Sequence, residues 1–325
     1  MTGIINIDKP AGWTSHDVVA KLRGVLKQKR IGHGGTLDPM ATGVLPVFIG
    51  RATRAAEYCE NAEKEYIAGL RLGIVTDTQD ITGNVLSEKE VTVTIEDLQA
   101  ILPRFTGAQK QIPPMYSAIK KDGQKLYELA RRGIDVPREP REIYIYKLDL
   151  LLPQHCEYIS SSAEAKRCTK QSNPSKTENS TLSYQSENSY ILKISCTKGT
   201  YIRTLCHDIG AALGCGGTLS ALQRTRAGAY TIDMAHTIDD VLAAVLSGSV
   251  NSLIQPVDSI FPEYPSIFID PPEVRKAKNG AECHTRDRTE DGKYKVYDPY
   301  GEFLLLGEVK SNRIKTIKSF FEVEQ

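Results

Sequence analysis

Gly32-His33-Gly34-Gly35-Thr36-Leu37-Asp38-Pro39 is the stretch on which the reading of this chain turns. Glycines permit positive φ and the close approach of another backbone, while Pro39 restricts Asp38 to extended conformations. A carboxylate held in this way is presented, which suits chemistry. The same eight residues also fit a plain Asp-Pro turn following a glycine loop. Two nucleotide readings fail: there is no G-x-x-x-x-G-K-[ST], and Gly32-His33-Gly34 lacks the third glycine of a dinucleotide fingerprint.

Working outward, Thr14 or Ser15 caps a helix with Asp17 as the acidic member of a capping box. Val18, Val19, Leu22, Val25 and Leu26 then repeat at helical spacing, carrying the helix towards Lys29 and into a loop at Gly32 to Gly35. Downstream, the pattern predicts a helix over 53–61, a strand over 64–72, a helix over 94–102 capped by Thr94, and a helical turn over 127–132. Residues 143–152 and 190–197 alternate as strands, and between them 154–188 is Ser, Thr, Asn, Lys and Gln with almost no large aliphatic side chain. Such a segment cannot bury enough apolar surface to offset ordering it, so it reads as a disordered insertion looping out between paired strands. Leu205, Ile209 and Leu213 lie four apart on a helix stopped by Gly214. Beyond Pro256 the chain turns to short β-like runs between Gly and Asp-Pro turns, the texture of a small β domain.

The 325 residues, 40% apolar, are enough for one large and one small domain. No run approaches the roughly 18 apolar residues of a membrane span, and no basic-then-apolar leader opens the chain, which predicts a cytoplasmic protein. The seven cysteines are scattered without a C-x-x-C pair and read as reduced, mostly buried thiols. Cys206-His207 offers no metal set, because neighbours on a helix point about 100° apart. A net charge of +1 says nothing global about a polyanion. Two basic clusters do: Lys21, Arg23, Lys27, Lys29 and Arg30, then Lys120, Lys121, Lys125, Arg131 and Arg132. Each fits phosphate neutralisation, and each equally fits a solvated helix face.

A second constellation, Lys198-Gly199-Thr200-Tyr201-Ile202-Arg203, lies where a strand ends and a helix starts, a place that favours anions. Arg203 fits a carboxylate or phosphate partner, or a surface ion pair. Tyr66, in Lys64-Glu65-Tyr66, fits core packing with a satisfied hydroxyl. Spacing cannot bring these pieces together.

These motifs, taken in order, resemble the TruB family of tRNA pseudouridine synthases. Asp8-Lys9-Pro10-Ala11-Gly12-Trp13-Thr14-Ser15 is similar to its opening motif, and Gly32-His33 through Leu37-Asp38-Pro39-Met40-Ala41-Thr42-Gly43-Val44-Leu45-Pro46 to its catalytic loop. Lys64-Glu65-Tyr66 with Thr76-Asp77-Thr78-Gln79-Asp80-Ile81-Thr82-Gly83 resembles the tyrosine strand and the segment after it. Pro113-Pro114-Met115-Tyr116-Ser117-Ala118-Ile119-Lys120 resembles an RNA-facing insert, and Gly199-Thr200-Tyr201-Ile202-Arg203-Thr204-Leu205 and Gly214-Cys215-Gly216 the closing motifs.

The resemblance implies an α+β pseudouridine synthase fold: a central mixed, mainly antiparallel sheet flanked by helices, over 1–250, with a C-terminal β-rich PUA-like RNA-binding domain over 256–325. It implies isomerisation of uridine fifty-five in the T-loop of tRNA without cofactor or metal; the compact opening and the absence of long basic tails favour a stand-alone form without guide RNA, expected to be a monomer. Asp38 would be the essential carboxylate, Arg203 its ion-pair partner, and Tyr66 a base-stacking group able to take the C5 proton. Tyr201 and Leu222 would wall the base pocket, and His33 would take the place of the flipped base. Asp77 and Asp80 would hold their loop or touch RNA, outside the catalytic set. A non-catalytic tRNA-binding or tRNA-folding module and an RNA-guided synthase are the alternatives.

Overall fold

The computed structural model describes residues 1–151 and 188–321. In chain order the elements begin β1 (Gly3–Lys9), α1 (Ser15–Val25), β2 (Ile31–His33), β3 (Thr42–Ile49), α2 (Ala56–Asn61), β4 (Lys64–Leu72), β5 (Ile74–Thr76) and β6 (Val85–Glu88). They continue with α3 (Ile95–Ile101), β7 (Gly107–Gln111), β8 (Lys120–Lys121), β9 (Gln124–Lys125), α4 (Leu126–Ala130), β10 (Arg141–Leu151), β11 (Ser189–Cys196), α5 (Ile202–Ala212) and β12 (Gly217–Ala227). The chain closes with β13 (Tyr230–Thr231), α6 (Ile238–Leu246), β14 (Ser266–Phe268), α7 (Pro271–Lys278), β15 (Cys283–His284), β16 (Gly292–Tyr297), β17 (Phe303–Lys310) and β18 (Arg313–Ser319). Contacts divide the chain into two compact units, one of Met1–Pro39, Gly43–Asn61 and Ala227–Gln325, the other of Met40–Thr42 and Ala62–Arg226. Among the described residues no helix is long and apolar enough to cross a membrane.

In the first unit β3 pairs antiparallel with β1 on one side and with β2 on the other. Alternation at period two sends Ile5, Ile7, Leu45 and Val47 to one face, where they meet Val18, Val19 and Leu22 of α1 and Ile238 and Val241 of α6. Ile4, Val44 and Phe48 point the other way, into a cluster with Phe261, Leu306 and Phe320. The five strands in the order β14-β16-β17-β18-β15 form the expected C-terminal sheet, and its Leu306 and Phe320 are core residues of the same unit as the N-terminal strands.

The capping box at α1 is present: Asp17 N–H donates to Thr14 Oγ1 at 3.0 Å and Thr14 N–H to Asp17 Oδ2 at 2.8 Å. The helix ends earlier than its periodicity suggested, with Lys27 at φ 49. Gly32 and His33, expected in a loop, are strand residues because the edge of β3 offers them backbone partners. The expected helix over 53–61 opens as a 3-10 segment, Gly50–Ala55, before α2.

In the second unit β4, β11, β10 and β7 pair antiparallel in that order, with β12 on the other side of β4. The two strands expected around the insertion are β10 and β11, paired with Leu151 opposite Ile191. The insertion itself lies outside the described residues except for Asn188. Helix α5 buries Ile202, Leu205, Cys206 and Ile209 and ends at Gly214, φ 81, as a glycine stop requires. It touches the start of β12 backbone to backbone: a Cβ on Gly210 would lie 2.1 Å from Gly217 N, so no larger residue fits there.

Candidate active site

Asp38 is half-buried and stands between two residues that the N-terminal motif holds in place. Ser15 Oγ accepts from Leu37 N–H at 2.9 Å, and Gly12 N–H donates to Pro39 O at 2.8 Å. The Lys9 ammonium is wholly buried and donates to Trp13 O at 2.6 Å, Pro10 O at 2.8 Å and Pro39 O at 3.2 Å. A buried ammonium spending its donors on carbonyls is expensive unless it fixes something. Here it fixes the loop on the C-terminal side of Asp38. On the N-terminal side Gly34 N–H donates to Pro46 O at 2.9 Å, and a Cβ at Gly34 would stand 2.8 Å from Cys59 Cβ and Phe48 Cε2. Asp38 is thus carried on a loop tied down at both ends, and His33 sits on β2 opposite Val47 just before it.

The second unit gathers Tyr66, Tyr201, Arg203 and Leu222 on neighbouring elements. Tyr66 lies on β4 opposite Ile194 and is 9% exposed; Leu222 lies on the adjacent β12 and is 7% exposed. Tyr201 is the residue before α5 and Arg203 lies in its first turn. Arg203 is 4% exposed and donates from Nη1 to Thr78 O at 3.0 Å and from Nη2 to Tyr116 O at 2.9 Å. Its Nε lies 3.8 Å from Asp80 Oδ2, a carboxylate itself 6% exposed.

Asp80 was expected to hold its loop or touch RNA, and its hydrogen bonds lie within the loop. Oδ1 accepts from Thr82 N–H at 3.0 Å and from the hydroxyls of Thr78 and Thr82. Ile81 N–H donates to Leu219 O at 2.8 Å, tying the loop to β12. Thr204 Oγ1 on α5 donates to Gln79 Oε1 at 2.7 Å. A pairing of Asp80 with Arg203 was not foreseen, nor was the role of Gln111. Gln111, 5% exposed, accepts from Tyr201 N–H at 2.8 Å and donates to Tyr201 O at 3.0 Å. The thiols nearby are spectators: burial pushes Cys206 up to about 12 and Cys196 up to about 11, so neither supplies a thiolate at neutral pH. Among the described residues no group of three or more His, Cys, Asp or Glu is placed to hold a metal ion.

In the first unit a cleft of about 460 Å³ is lined by Arg30, Arg51, Arg54 and Lys278, together with Asn279, Gly280 and Thr316, and by no carboxylate. Arg30 is fixed through Nε to Thr53 Oγ1 at 2.8 Å, and Arg54 through Nη1 to Ser319 O at 3.0 Å. Their side chains bond oxygen atoms of neutral groups, which leaves the arginine charges for an outside anion.

Comparison with known proteins identifies a family. The profile described as TruB family pseudouridylate synthase, N terminal domain, matches residues 23–170, and that of the tRNA pseudouridylate synthase B C-terminal domain matches 203–262. The chain is 38% identical over 325 residues to the tRNA pseudouridine synthase B of Clostridium kluyveri, covering 98% of this chain and 100% of the relative. It is 42% identical over 278 residues to that of Ralstonia pickettii, covering 86% and 78%. The fold is shared with a chain in the crystal structure of a Cbf5-Nop10-Gar1 complex, at a TM-score of 0.67 and 25% identity over 98% of this chain and 85% of that one. Sequence over the whole length and fold agree, and the chain belongs to the TruB family of pseudouridine synthases.

Proposed function

We propose that this protein converts uridine fifty-five in the T-loop of tRNA to pseudouridine, with Asp38 as the carboxylate that carries the reaction. The observation behind this reading is the bracing of Asp38: two of the loop's backbone anchors and a buried lysine hold Leu37 and Pro39 while Asp38 between them is only half-buried. Such rigidity is what positioning a reacting group demands.

The isomerisation breaks the N1–ribose bond, turns the uracil and rejoins it through C5, so the reaction is redox-neutral and consumes no co-substrate. Asp38 acts as a carboxylate, and the resemblance assigns Arg203, at the start of α5, as its ion-pair partner. Tyr66 stacks on the flipped uracil and accepts the C5 proton, Tyr201 and Leu222 wall the pocket, and His33 takes the vacated place in the RNA. The relatives named tRNA pseudouridine synthase B support tRNA as substrate. The cleft lined by Arg30, Arg51, Arg54 and Lys278 is suited to RNA phosphates, and its Lys278 comes from the C-terminal sheet's helix, in keeping with a PUA-like RNA-binding role for that part of the chain.

We read the enzyme as a cytoplasmic, stand-alone monomer that needs no guide RNA. The test is to incubate the purified protein with an unmodified tRNA transcript and map pseudouridine by chemical derivatisation. Modification at position fifty-five alone, in the tRNA and in a bare T-stem-loop, is expected. Modification elsewhere, or only with added guide RNA or protein partners, would refute the assignment.

A further inference from the structure

We propose that Gln111 is a positioning residue that sets the pocket through the backbone of Tyr201, and that it does so from a segment that also holds Arg203. The idea rests on the reading of Tyr201 and Arg203 as site residues.

Gln111 is the last residue of β7 and is almost fully buried. Its carboxamide makes both available kinds of hydrogen bond with one residue 90 positions away: Oε1 accepts from Tyr201 N–H at 2.8 Å, and Nε2 donates to Tyr201 O at 3.0 Å. A side-chain amide here imitates a strand neighbour for a single residue. Tyr201 needs one, because it sits at the N-cap of α5 in extended conformation, φ −91 and ψ 107, where no side chain caps the helix. Without Gln111 the half-buried Tyr201 N–H loses the side-chain acceptor that holds it at the turn into the helix.

Five residues on, Tyr116 O accepts from Arg203 Nη2 at 2.9 Å. The stretch from Gln111 to Tyr116 therefore grips both residues at the start of α5, one through its backbone and one through its guanidinium. The same stretch leads straight into the β8–β9 hairpin and α4, whose Lys120, Lys121 and Lys125 form a basic cluster. Lys121 in turn donates to Pro137 O at 2.7 Å. A shift of that hairpin as RNA docks is thereby transmitted to Tyr201 and Arg203 by covalent continuity. Gln111 needs its donor and its acceptor together, and volume alone does not replace them.

The experiment compares Gln111→Met, which keeps the volume and removes both bonds, with Gln111→Glu, which keeps the acceptor and loses the donor when ionised. Tyr201→Ala is measured alongside. Single-turnover rate and tRNA Kd are read separately on variants whose melting confirms a folded protein. Misplacement of a pocket residue by about 1 Å costs on the order of 10²-fold in rate, so Gln111→Met is expected to lose roughly 10- to 100-fold with Kd unchanged. Relative to wild type, the deficit of Gln111→Glu is expected to narrow as pH falls, since the protonated acid donates again and burial raises its pKa. Wild-type rate in Gln111→Met, a loss of affinity that matches the loss of rate, or a Gln111→Glu deficit independent of pH each overturns the proposal. A wild-type rate in Tyr201→Ala would instead overturn the reading of Tyr201 itself, which keeps the two failures apart.

Discussion

Replacing Arg203 by Met tests the interior of the site most sharply. The guanidinium is 4% exposed, and its partners include Thr78 O, Tyr116 O and Asp80 Oδ2. Methionine fills a similar length and supplies no donor. Removing one partner of a buried ion pair costs about 3–5 kcal/mol, because the other charge stays behind unneutralised. Asp80 retains three donors on Oδ1, from Thr78 and Thr82, which soften that penalty. The lower end, about 3 kcal/mol, is therefore expected for Arg203→Met. Asp80→Asn removes the stranded charge, so the double variant should be less destabilised than the sum of the singles by about 1–2 kcal/mol, within the range seen for directly coupled neighbours. Urea denaturation of the four proteins gives the cycle. Additivity within about 0.5 kcal/mol would refute the coupling and with it the buried Arg203–Asp80 pair.

Other consequences follow from parts of the structure remote from one another. Arg51→Gln combined with Lys278→Gln should weaken tRNA binding and lower the slope of log Kd against log salt by about 1–2, read by fluorescence anisotropy at several salt concentrations; an unchanged slope would remove the cleft from the RNA path. Thr14→Ala should cost about 1 kcal/mol by deleting the helix cap. The Thr14 side chain and backbone hold the Asp17 carboxyl below its usual value. That stabilisation is present above the unfolded carboxylate pKa of about 3.9 and is lost as pH falls through the lower folded value. The difference in melting temperature between wild type and Thr14→Ala should accordingly shrink below about pH 4, and a gap that widened on acidification would contradict the capping account. Cys206, its thiol pushed up to about 12 by burial, should resist alkylation at mildly alkaline pH at least about 10²-fold better than in the denatured chain, as followed by peptide mass spectrometry.

Local signals in the sequence carried a long way. Thr94 caps the helix it was expected to cap, and of the two candidates Thr14 and Ser15 it is Thr14 that caps α1, each with an aspartate three residues on, because a capping box is written within four residues. The strands β10 and β11 follow from side-chain alternation, which depends on which face is wet. Strand β2 was hidden because Gly32 has no side chain to alternate, and what makes it a strand is its pairing with Val47, Phe48 and Ile49 of β3.

Polar contacts across the fold were not legible. Lys9 at the end of a strand reads as a solvated lysine, yet the turn at Pro10–Trp13 and the loop at Pro39 fold back over its ammonium. Gln111 and Tyr201 meet only because β7 and the start of α5 lie side by side, and a glutamine at a strand end gives no hint of it. A grouping of Asp38 with Tyr66, Tyr201 and Arg203 is what the resemblance of whole motifs implies, since no spacing rule links residues so far apart.

Tritium release from a T-stem-loop carrying C5-labelled uridine tests Asp38 most directly, with wild type and Asp38→Asn compared beside a binding measurement on each. Asparagine keeps the shape of the braced loop and removes the charge. The account predicts release by wild type, none by Asp38→Asn, and RNA affinity retained in both, because phosphate contacts elsewhere carry most of the binding. Release that persists in Asp38→Asn, or no release from wild type, would contradict it.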